Sequence, residues 1–240
     1  MTYDRKIYFP DEPKSRAMPA NQRWKSDPSL HSCEREDEKL QSKKKLDYDQ
    51  TYVEEFLNKD PVRDWESIKR CIDLFMFFLD QVELDILSVQ TKSWSILDCG
   101  TKDGQFPEWL NSQGIEVLGT EISGPYVNWA QNKNRPVEYG DVCDLPPKWT
   151  DKYDVVFSHH LLGLVSDYWV GLSEMYRVTK TGGYMVTLND VPGNLRKHFS
   201  YIGGPDIFEV FTNTNKCDSI YSGPWNQERP KEWVYIVKKV

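Results

Sequence analysis

The chain has 240 residues and a formal net charge of -7, and 39% of its residues are hydrophobic, which is enough to bury the core of one main domain. The charge is unevenly distributed, because residues 1–45 contain 11 Lys and Arg against 8 Asp and Glu, whereas residues 46–240 contain 19 against 29. An acidic body is a poor general partner for nucleic-acid phosphates, so the composition argues against a nucleic-acid-binding protein.

Hydropathy and cysteine spacing restrict where the protein is expected to work. The best candidate for an apolar run, Leu74 to Leu79, is six residues long, whereas crossing a bilayer takes roughly 20. The N-terminus lacks the continuous apolar core of a secretory signal. The five cysteines are far apart, with no CxxC pair and no histidine at metal-ligand spacing. We therefore expect a cytoplasmic protein without membrane contact and without a metal site.

The N-terminal part of the chain divides into a leader and a helical segment. Residues 1–45 contain scattered prolines, mixed charges and few periodic apolar positions, which predicts a flexible or draped basic leader. Its aromatic residues leave a second interpretation open, in which the leader covers a binding cleft as a lid or arm. From Tyr48 to Leu87 apolar residues recur at helical spacing, which predicts two helices in front of a sheet.

Beyond residue 93, short apolar runs alternate with helical stretches. The predicted strands are Trp94 to Asp98, Glu116 to Glu121, Val137 to Tyr139, Tyr153 to Ser158 and Tyr184 to Leu188. The predicted helices between them are Gly104 to Gln113, Pro125 to Asn132 and Tyr168 to Val178. This alternation predicts a mostly parallel sheet with helices on both faces. Two later strand-like runs, Ser219 to Tyr221 and Trp233 to Val237, have no helix between them and predict a terminal antiparallel hairpin.

The turn after the first predicted strand is the candidate nucleotide site, because ligands of open parallel sheets bind beyond the carboxyl ends of the strands. The strand ends at Asp98, and Gly100 and Gly104 follow, with a helix beginning at the second glycine. Glycine lets the backbone approach a ligand or a neighbouring strand closely. The second predicted strand ends in Glu121, about 20 residues after the glycine loop, where an acid can accept hydrogen bonds from a ribose diol.

Five successive motifs resemble those of the class I S-adenosylmethionine-dependent methyltransferases, in the order and spacing of that family. They are Leu97-Asp98-Cys99-Gly100 with Asp103-Gly104, Glu121-Ile122-Ser123, Gly140-Asp141-Val142, Tyr153-Asp154-Val155-Val156-Phe157-Ser158-His159-His160, and Arg177-Val178-Thr179-Lys180-Thr181-Gly182-Gly183. The resemblance spans roughly residues 93–190 and is greatest to the branch that methylates small metabolites and sugars. It implies a seven-stranded α/β fold.

The resemblance also implies a division of the chain. The methyltransferase domain would occupy residues 46–240, with pre-sheet helices in 46–92 and the cofactor-binding core in 93–190. Residues 191–240 would form an acceptor-side insertion and the terminal hairpin. Gly203-Gly204-Pro205, inside the insertion, is typical of a plain turn.

Site residues follow from the same resemblance. Asp98 and Gly100 would lie at the methionine end of S-adenosylmethionine, and Glu121 at the ribose hydroxyls. Asp141 would accept from the adenine amine, with the Val142 N–H near the ring. The cofactor set is completed by three further residues of these motifs: Gly104, Ile122 and Ser158, the last on the path to the sulfonium.

Two departures from the family pattern have consequences. Lys102 stands where the family usually has its middle glycine, which predicts either a wider loop or an ammonium that pairs with the cofactor carboxylate. Gly163 and Leu164 stand where this branch often has Glu and His.

His159 and His160 are the candidate catalytic bases, because a neutral imidazole can take a proton from an acceptor hydroxyl.

Competing interpretations remain at this point. A nicotinamide-dependent oxidoreductase would share the sheet and the acid, but it expects a G-x-G-x-x-G loop, in which Lys102 would replace a glycine. A nucleic-acid or protein methyltransferase could use the basic leader as a clamp. A methyltransferase-like module could bind cofactor without turnover. The favoured prediction is methyl transfer from S-adenosylmethionine to a small-molecule acceptor, with the oligomeric state left open.

Overall fold

The structure is a computed structural model that describes residues 61–165, 167–190, 205–225 and 232–240. The predicted leader, residues 1–45, lies outside these ranges, as does the first part of the predicted helical segment. The helices are α1 (Pro61–Gln81), α2 (Ile86–Thr91), α3 (Gln105–Ser112), α4 (Gly124–Asn132), α5 (Tyr168–Val178) and α6 (Pro205–Thr214), with a 3-10 turn at Pro147–Trp149. The strands are β1 (Ser95–Cys99), β2 (Glu116–Glu121), β3 (Val137–Tyr139), β4 (Tyr153–His159), β5 (Thr179–Asp190), β6 (Cys217–Pro224) and β7 (Glu232–Lys239).

All seven strands form one sheet in the order β3-β2-β1-β4-β5-β7-β6. The first five pair in parallel, whereas β7 is antiparallel to both β5 and β6. The predicted fold class is therefore confirmed, including the antiparallel hairpin at the end of the chain. Strand order reverses between β1 and β4, so the carboxyl ends of these two strands form the crevice in which ligands of open parallel sheets bind.

Two apolar cores cover the two faces of the sheet. The face toward α1, α2 and α3 buries Phe75, Val89 and Phe106 together with alternate residues of β4, β5 and β7. The other face buries residues of α5 and α6, such as Leu172 and Phe208. Because both faces are covered, the central strands are apolar on both sides, as in β1, where Ile96 and Leu97 are each fully buried against opposite cores. Within the described ranges, no helix has the length and apolarity needed to cross a membrane.

Strand β6 is longer than the predicted Ser219 to Tyr221, and strand β5 differs more from the prediction. The strand predicted at Tyr184 to Leu188 begins five residues earlier, at Thr179, and ends at Asp190. The family-type turn around Gly182 is an irregularity inside this strand, where the register with β4 shifts between Tyr153 and Val155. Asp154 holds this irregularity, because its carboxylate accepts from the Lys180 ammonium at 2.7 Å and from the Ser95 N–H at 2.8 Å.

Helix α6 was not predicted. The turn predicted at Gly203-Gly204-Pro205 falls mostly outside the described residues, but Pro205 is the first residue of α6. Proline is favoured in the first turn of a helix because its missing N–H would have no partner there. Phe208 and Phe211 of this helix are fully buried against the sheet. The segment predicted as an acceptor-side insertion therefore also contributes to the core.

A buried arginine joins the start of α3 to the turn between α4 and β3. The Arg135 guanidinium donates to the Asp103 carboxylate at 2.7 Å, to the Asp103 carbonyl at 2.9 Å and to the Glu108 carboxylate at 2.8 Å. Its side chain is only 13% exposed. Arg135, in the turn before β3, thus holds the glycine loop that ends at Gly104 in place.

We predict that Arg135→Ala lowers the free energy of unfolding by about 2 kcal/mol, because it leaves the Asp103 carboxylate buried without its charge partner. Urea unfolding followed by circular dichroism measures the change. The matched control is Lys133→Ala, which removes an exposed cation from the same turn and should cost well under ~1 kcal/mol. Equal losses in the two variants would mean that the Arg135 contacts contribute nothing specific.

Candidate functional site

The carboxyl ends of β1, β2 and β4 lie side by side at one edge of the sheet. Cys99, the last residue of β1, is in register with Thr120 of β2 and with Ser158 of β4. Asp98 and Glu121 lie at the same edge, and their charges interact. The structure therefore brings together the strand-end residues that the motifs single out.

The loop after β1 is tight rather than widened. The N–H groups of Gly100 and Thr101 both donate to the Thr120 carbonyl, at 2.8 and 3.0 Å. Lys102 has a φ of 55°, the left-handed conformation that glycine adopts without strain. Of the two alternatives for Lys102, the wider loop does not occur: Lys102 takes a left-handed conformation that glycine adopts freely, at a cost of about 1 kcal/mol. The pairing of its ammonium with the cofactor carboxylate stays a prediction.

The two predicted glycines of this loop are packed against side chains. A Cβ on Gly100 would come within 2.7 Å of Leu161, in the segment after β4. A Cβ on Gly104 would collide with Val137 of β3 and approach Arg135. Gly104 is also the residue that caps the start of α3, with a φ of 76°. Both positions therefore need glycine for packing or backbone conformation.

Glu121 connects the glycine loop to the turn after β2. One carboxylate oxygen accepts from the Lys102 N–H at 3.0 Å and the other from the Ser123 N–H at 2.9 Å. The side chain is buried, and this burial raises the pKa of Glu121, an effect that the hydrogen bonds oppose. A carboxylate oxygen has further lone pairs, so Glu121 can still accept from a ligand hydroxyl.

Asp98 is the most deeply buried acid at this edge, with 4% of its surface exposed. Burial, with a smaller contribution from the Glu121 charge, raises the pKa of Asp98 to about 7. Its pKa is not lowered by any positive charge among the described residues. A buried carboxyl of this kind favours a ligand that brings its own cation.

The residues after β2 and β3 extend the site along the edge. Asp141 accepts from the Cys143 N–H at 2.8 Å through one oxygen. Ile122 is 55% exposed, so it offers an apolar surface directly beside Glu121. The Val142 side chain is instead buried in the core on the α5 side. Its predicted contribution would therefore come from its backbone.

A small cavity lies between α1 and the carboxyl end of β1. It is lined by Asp98, Gly100, Lys102 and His159 from the edge and by Cys71 from α1. Burial raises the pKa of the Cys71 thiol far above its usual range, with the nearby Asp98 charge adding to the effect, so the thiol stays protonated. The structure thus places His159 beside the predicted methionine end of the cofactor.

His160 lies next to this cavity, and its ring makes an edge contact with His159 at a centroid distance of 4.5 Å. Its Nε2 lies 3.9 Å from a carboxylate oxygen of Glu232, the first residue of β7. The same oxygen lies 3.9 Å from the Arg70 guanidinium of α1. Neither Arg70 nor Glu232 was predicted, and no motif surrounds either one in the sequence.

Three polar side chains are buried at the carboxyl ends of β4 and β5. Ser158 and Thr187 are fully buried register partners on β4 and β5, and Asn189 is 4% exposed. Among the described residues, none of their side-chain polar atoms has a hydrogen-bond partner. Ser158 was expected on the path to the sulfonium, whereas Thr187 and Asn189 were not predicted. Unpaired buried polar groups are rare and often satisfied by a ligand or water.

Comparison with known families and sequences agrees with these motifs. The family described as "Methyltransferase domain" matches residues 97–187. A malonyl-(acyl-carrier protein) O-methyltransferase from Hamiltonella defensa subsp. Acyrthosiphon pisum (strain 5AT) is 31% identical over 108 residues, which is 44% of this chain. The match covers 41% of that relative, so the chain aligns with less than half of its length.

Solved structures of low sequence identity share the fold. A SAM-dependent methyltransferase from Aquifex aeolicus matches with a TM-score of 0.52 and 16% identity, over 80% of this chain and 99% of its own. The (4+2)-cyclase SpnF matches with a TM-score of 0.53 and 14% identity, over 64% of this chain and 78% of its own. These likenesses concern the fold alone. The family match thus identifies residues 97–187 as similar to a methyltransferase domain, and the solved structures show that the chain has the class I methyltransferase fold.

Proposed function

We propose that the chain transfers a methyl group from S-adenosylmethionine to a small-molecule acceptor, a sugar or another metabolite. The observation that carries the proposal is the buried Asp98 carboxyl, which faces a cavity and has no cationic partner to lower its pKa among the described residues. A ligand with an ammonium and a sulfonium supplies the missing positive charge. The residues of the edge therefore fit this cofactor.

The remaining roles follow the chemistry of each side chain. Asp98 would accept from the methionine ammonium, and Glu121 from the ribose hydroxyls through its remaining lone pairs. Asp141 would accept from the adenine amine, beside the exposed apolar surface of Ile122. Lys102 would offer its ammonium to the methionine carboxylate. Gly100, Gly104, Val142 and Ser158 would contribute backbone shape and contacts.

The chain's own contribution to the reaction is alignment and proton removal. When bound, S-adenosylmethionine supplies an activated methyl group, so holding the acceptor in line can supply much of the rate. His159 lines the cavity and His160 lies beside it, so either imidazole is placed to take a proton from an acceptor hydroxyl. The α1 helix packs on the core and covers this side of the edge.

Two observations support a small acceptor. The body of the chain carries excess negative charge, which disfavours a polyanionic substrate. The name of the Hamiltonella relative gives malonyl-acyl-carrier protein as its methyl acceptor. This compound is therefore one of the small acceptors to test first. A small carried acyl group and a free metabolite present similar chemistry to the site.

The proposal is tested by calorimetry and by radiolabelled methyl transfer. S-adenosylmethionine and S-adenosylhomocysteine should bind, whereas NAD should not. Label should then transfer to a panel member such as malonyl-acyl-carrier protein or a nucleotide sugar, and not to an oligonucleotide or a protein mixture. Binding of NAD alone would indicate an oxidoreductase. Tight cofactor binding with no transfer to any panel member would favour a binding module without turnover.

We predict that Glu121→Ala weakens S-adenosylhomocysteine binding by about 1–3 kcal/mol, because the ribose hydroxyls lose a charged acceptor. The loop amide of Lys102 also loses its partner. Glu121→Gln should lose less, since it keeps one acceptor oxygen. Titration calorimetry on folded variants measures the change, with Glu116→Ala, an exposed acid at the other end of β2, as the control. Unchanged affinity in Glu121→Ala would make Glu121 a purely structural cap.

Asp98 predicts a pH dependence. Its pKa in the ligand-free protein is raised to about 7, so the carboxyl is mostly protonated at pH 6 and mostly ionised at pH 8. Only the ionised form pairs with an ammonium, so the dissociation constant of S-adenosylhomocysteine should fall about tenfold from pH 6 to pH 8. Calorimetry in a constant-ionic-strength buffer series measures this change.

The raised pKa of Asp98 also makes the stability of the ligand-free protein depend on pH, in the opposite direction. Between about pH 4 and pH 7 the unfolded chain loses the Asp98 proton more readily than the folded protein does. The free energy of unfolding therefore falls as pH rises through this range. Asp98→Asn should remove this loss from the ligand-free protein and should also flatten the pH dependence of binding. A wild-type dissociation constant that does not vary with pH would contradict the assigned role of Asp98.

A further inference from the structure

Three charged or titratable side chains from distant parts of the chain meet beside the cavity. Glu232 of β7 lies 3.9 Å from the His160 imidazole of the segment after β4 and 3.9 Å from the Arg70 guanidinium of α1. The Glu232 side chain is only 13% exposed. At these distances and this burial, the charge on Glu232 acts on the imidazole with little screening by solvent.

The backbone of His160 is held in an unusual conformation. Its φ is 52°, in the left-handed region that residues with a Cβ rarely occupy. The His160 N–H donates to the Leu188 carbonyl of β5 at 2.8 Å, which fixes the residue at the end of the sheet. Residues held in this region by their neighbours are found at functional sites as well as in turns, and His160 lies beside the cavity.

We propose that Glu232 is a positioning residue for His160, which it orients as the proton acceptor of the methyl-transfer site. This inference rests on the proposed function. With the proton of the neutral imidazole assigned to Nε2, which lies 3.9 Å from the Glu232 carboxylate, the lone pair is on Nδ1. Arg70 lies 3.9 Å from the same carboxylate oxygen and limits how strongly Glu232 favours the charged imidazole.

The proton step balances without any further reactant. The acceptor oxygen forms its bond to the methyl carbon as the carbon–sulfur bond breaks, and the electron pair of that bond goes to sulfur. The acceptor proton passes to the lone pair of His160. The resulting imidazolium is stabilised by the ionised Glu232, which itself takes no proton, and the proton then leaves to solvent.

The titratable groups beside His160 are Glu232 of β7 and His159 of β4, with Arg70 of α1 behind Glu232. Cys71 of α1 and Asp98 of β1 line the adjoining cavity with His159. Asp190 of β5 is the register partner of Glu232. The Cys71 thiol stays protonated. The Arg70 guanidinium and the His160 imidazole both lie 3.9 Å from the same Glu232 oxygen. Because Glu232 and Arg70 have opposite charges, removing each of them should have opposite effects on His160.

The first experiment is a titration of His160 by NMR in the ligand-free full chain, with the resonance assigned by loss of signal in His160→Gln. Glu232→Gln should move the titration midpoint of His160 to lower pH, because the imidazolium loses its anionic neighbour. Arg70→Met should move it to higher pH. Glu138→Gln, an exposed acid on β3, should leave it unchanged. Thermal melts of each variant establish that the fold is kept.

The second experiment measures methyl transfer to the hydroxyl-bearing panel acceptor that the wild type uses, because a malonyl carboxylate is already ionised near about pH 7 and releases no proton. A wild type that methylates only the malonyl carboxylate would overturn the proton-accepting role of His160. Glu232→Gln should lower kcat on the order of 10-fold and shift the pH profile of kcat, while the cofactor dissociation constant stays the same. An unmoved midpoint in Glu232→Gln, or an unchanged kcat and pH profile, would overturn the positioning role. If the wild type transfers no methyl group, the proposed function fails, whereas the NMR midpoints still decide whether Glu232 controls His160.

Discussion

The site depends on the hydrogen bonds that Glu121 accepts from the backbone of two different connections. Its carboxylate binds the N–H of Lys102 after β1 and the N–H of Ser123 after β2, so two strand ends are fixed relative to each other by one side chain. This arrangement keeps a negative charge beside the buried Asp98 and contributes to its raised pKa. The ligand-free site therefore has an unfavourable charge arrangement that a cationic ligand would relieve.

Most of the fold could be predicted because its local signals agree with its global arrangement. The strand Glu116–Glu121 and the helix Tyr168–Val178 have the predicted bounds, since each is a clear apolar run between turn residues. The extension of β5 back to Thr179 could not be predicted, because two glycines resemble a turn in isolation. The pairing of Thr179 with Tyr153, together with the contacts of Asp154 with β1 and β5, shows that the chain remains in the sheet.

The candidate site was predictable where position in the fold decides function. Parallel strands place their carboxyl ends together, so the acids at the ends of β1 and β2 are found from the alternation alone. The cluster of Arg70, His160 and Glu232 was not predictable. Arg70 and Glu232 are 162 positions apart in the chain. The three residues meet because β7 runs antiparallel beside β5 and brings its first residue to the carboxyl edge.

The position of β7 between β5 and β6 has a consequence for how the protein is made. Synthesis produces β6 first, but β6 reaches the sheet only through pairing with β7. Until β7 leaves the ribosome, β5 presents an open edge to other chains, from Tyr184 to Asp190. A nascent chain that pauses before Glu232 is therefore prone to intermolecular strand pairing, and rapid synthesis of this last stretch or a chaperone bound at that edge would protect it.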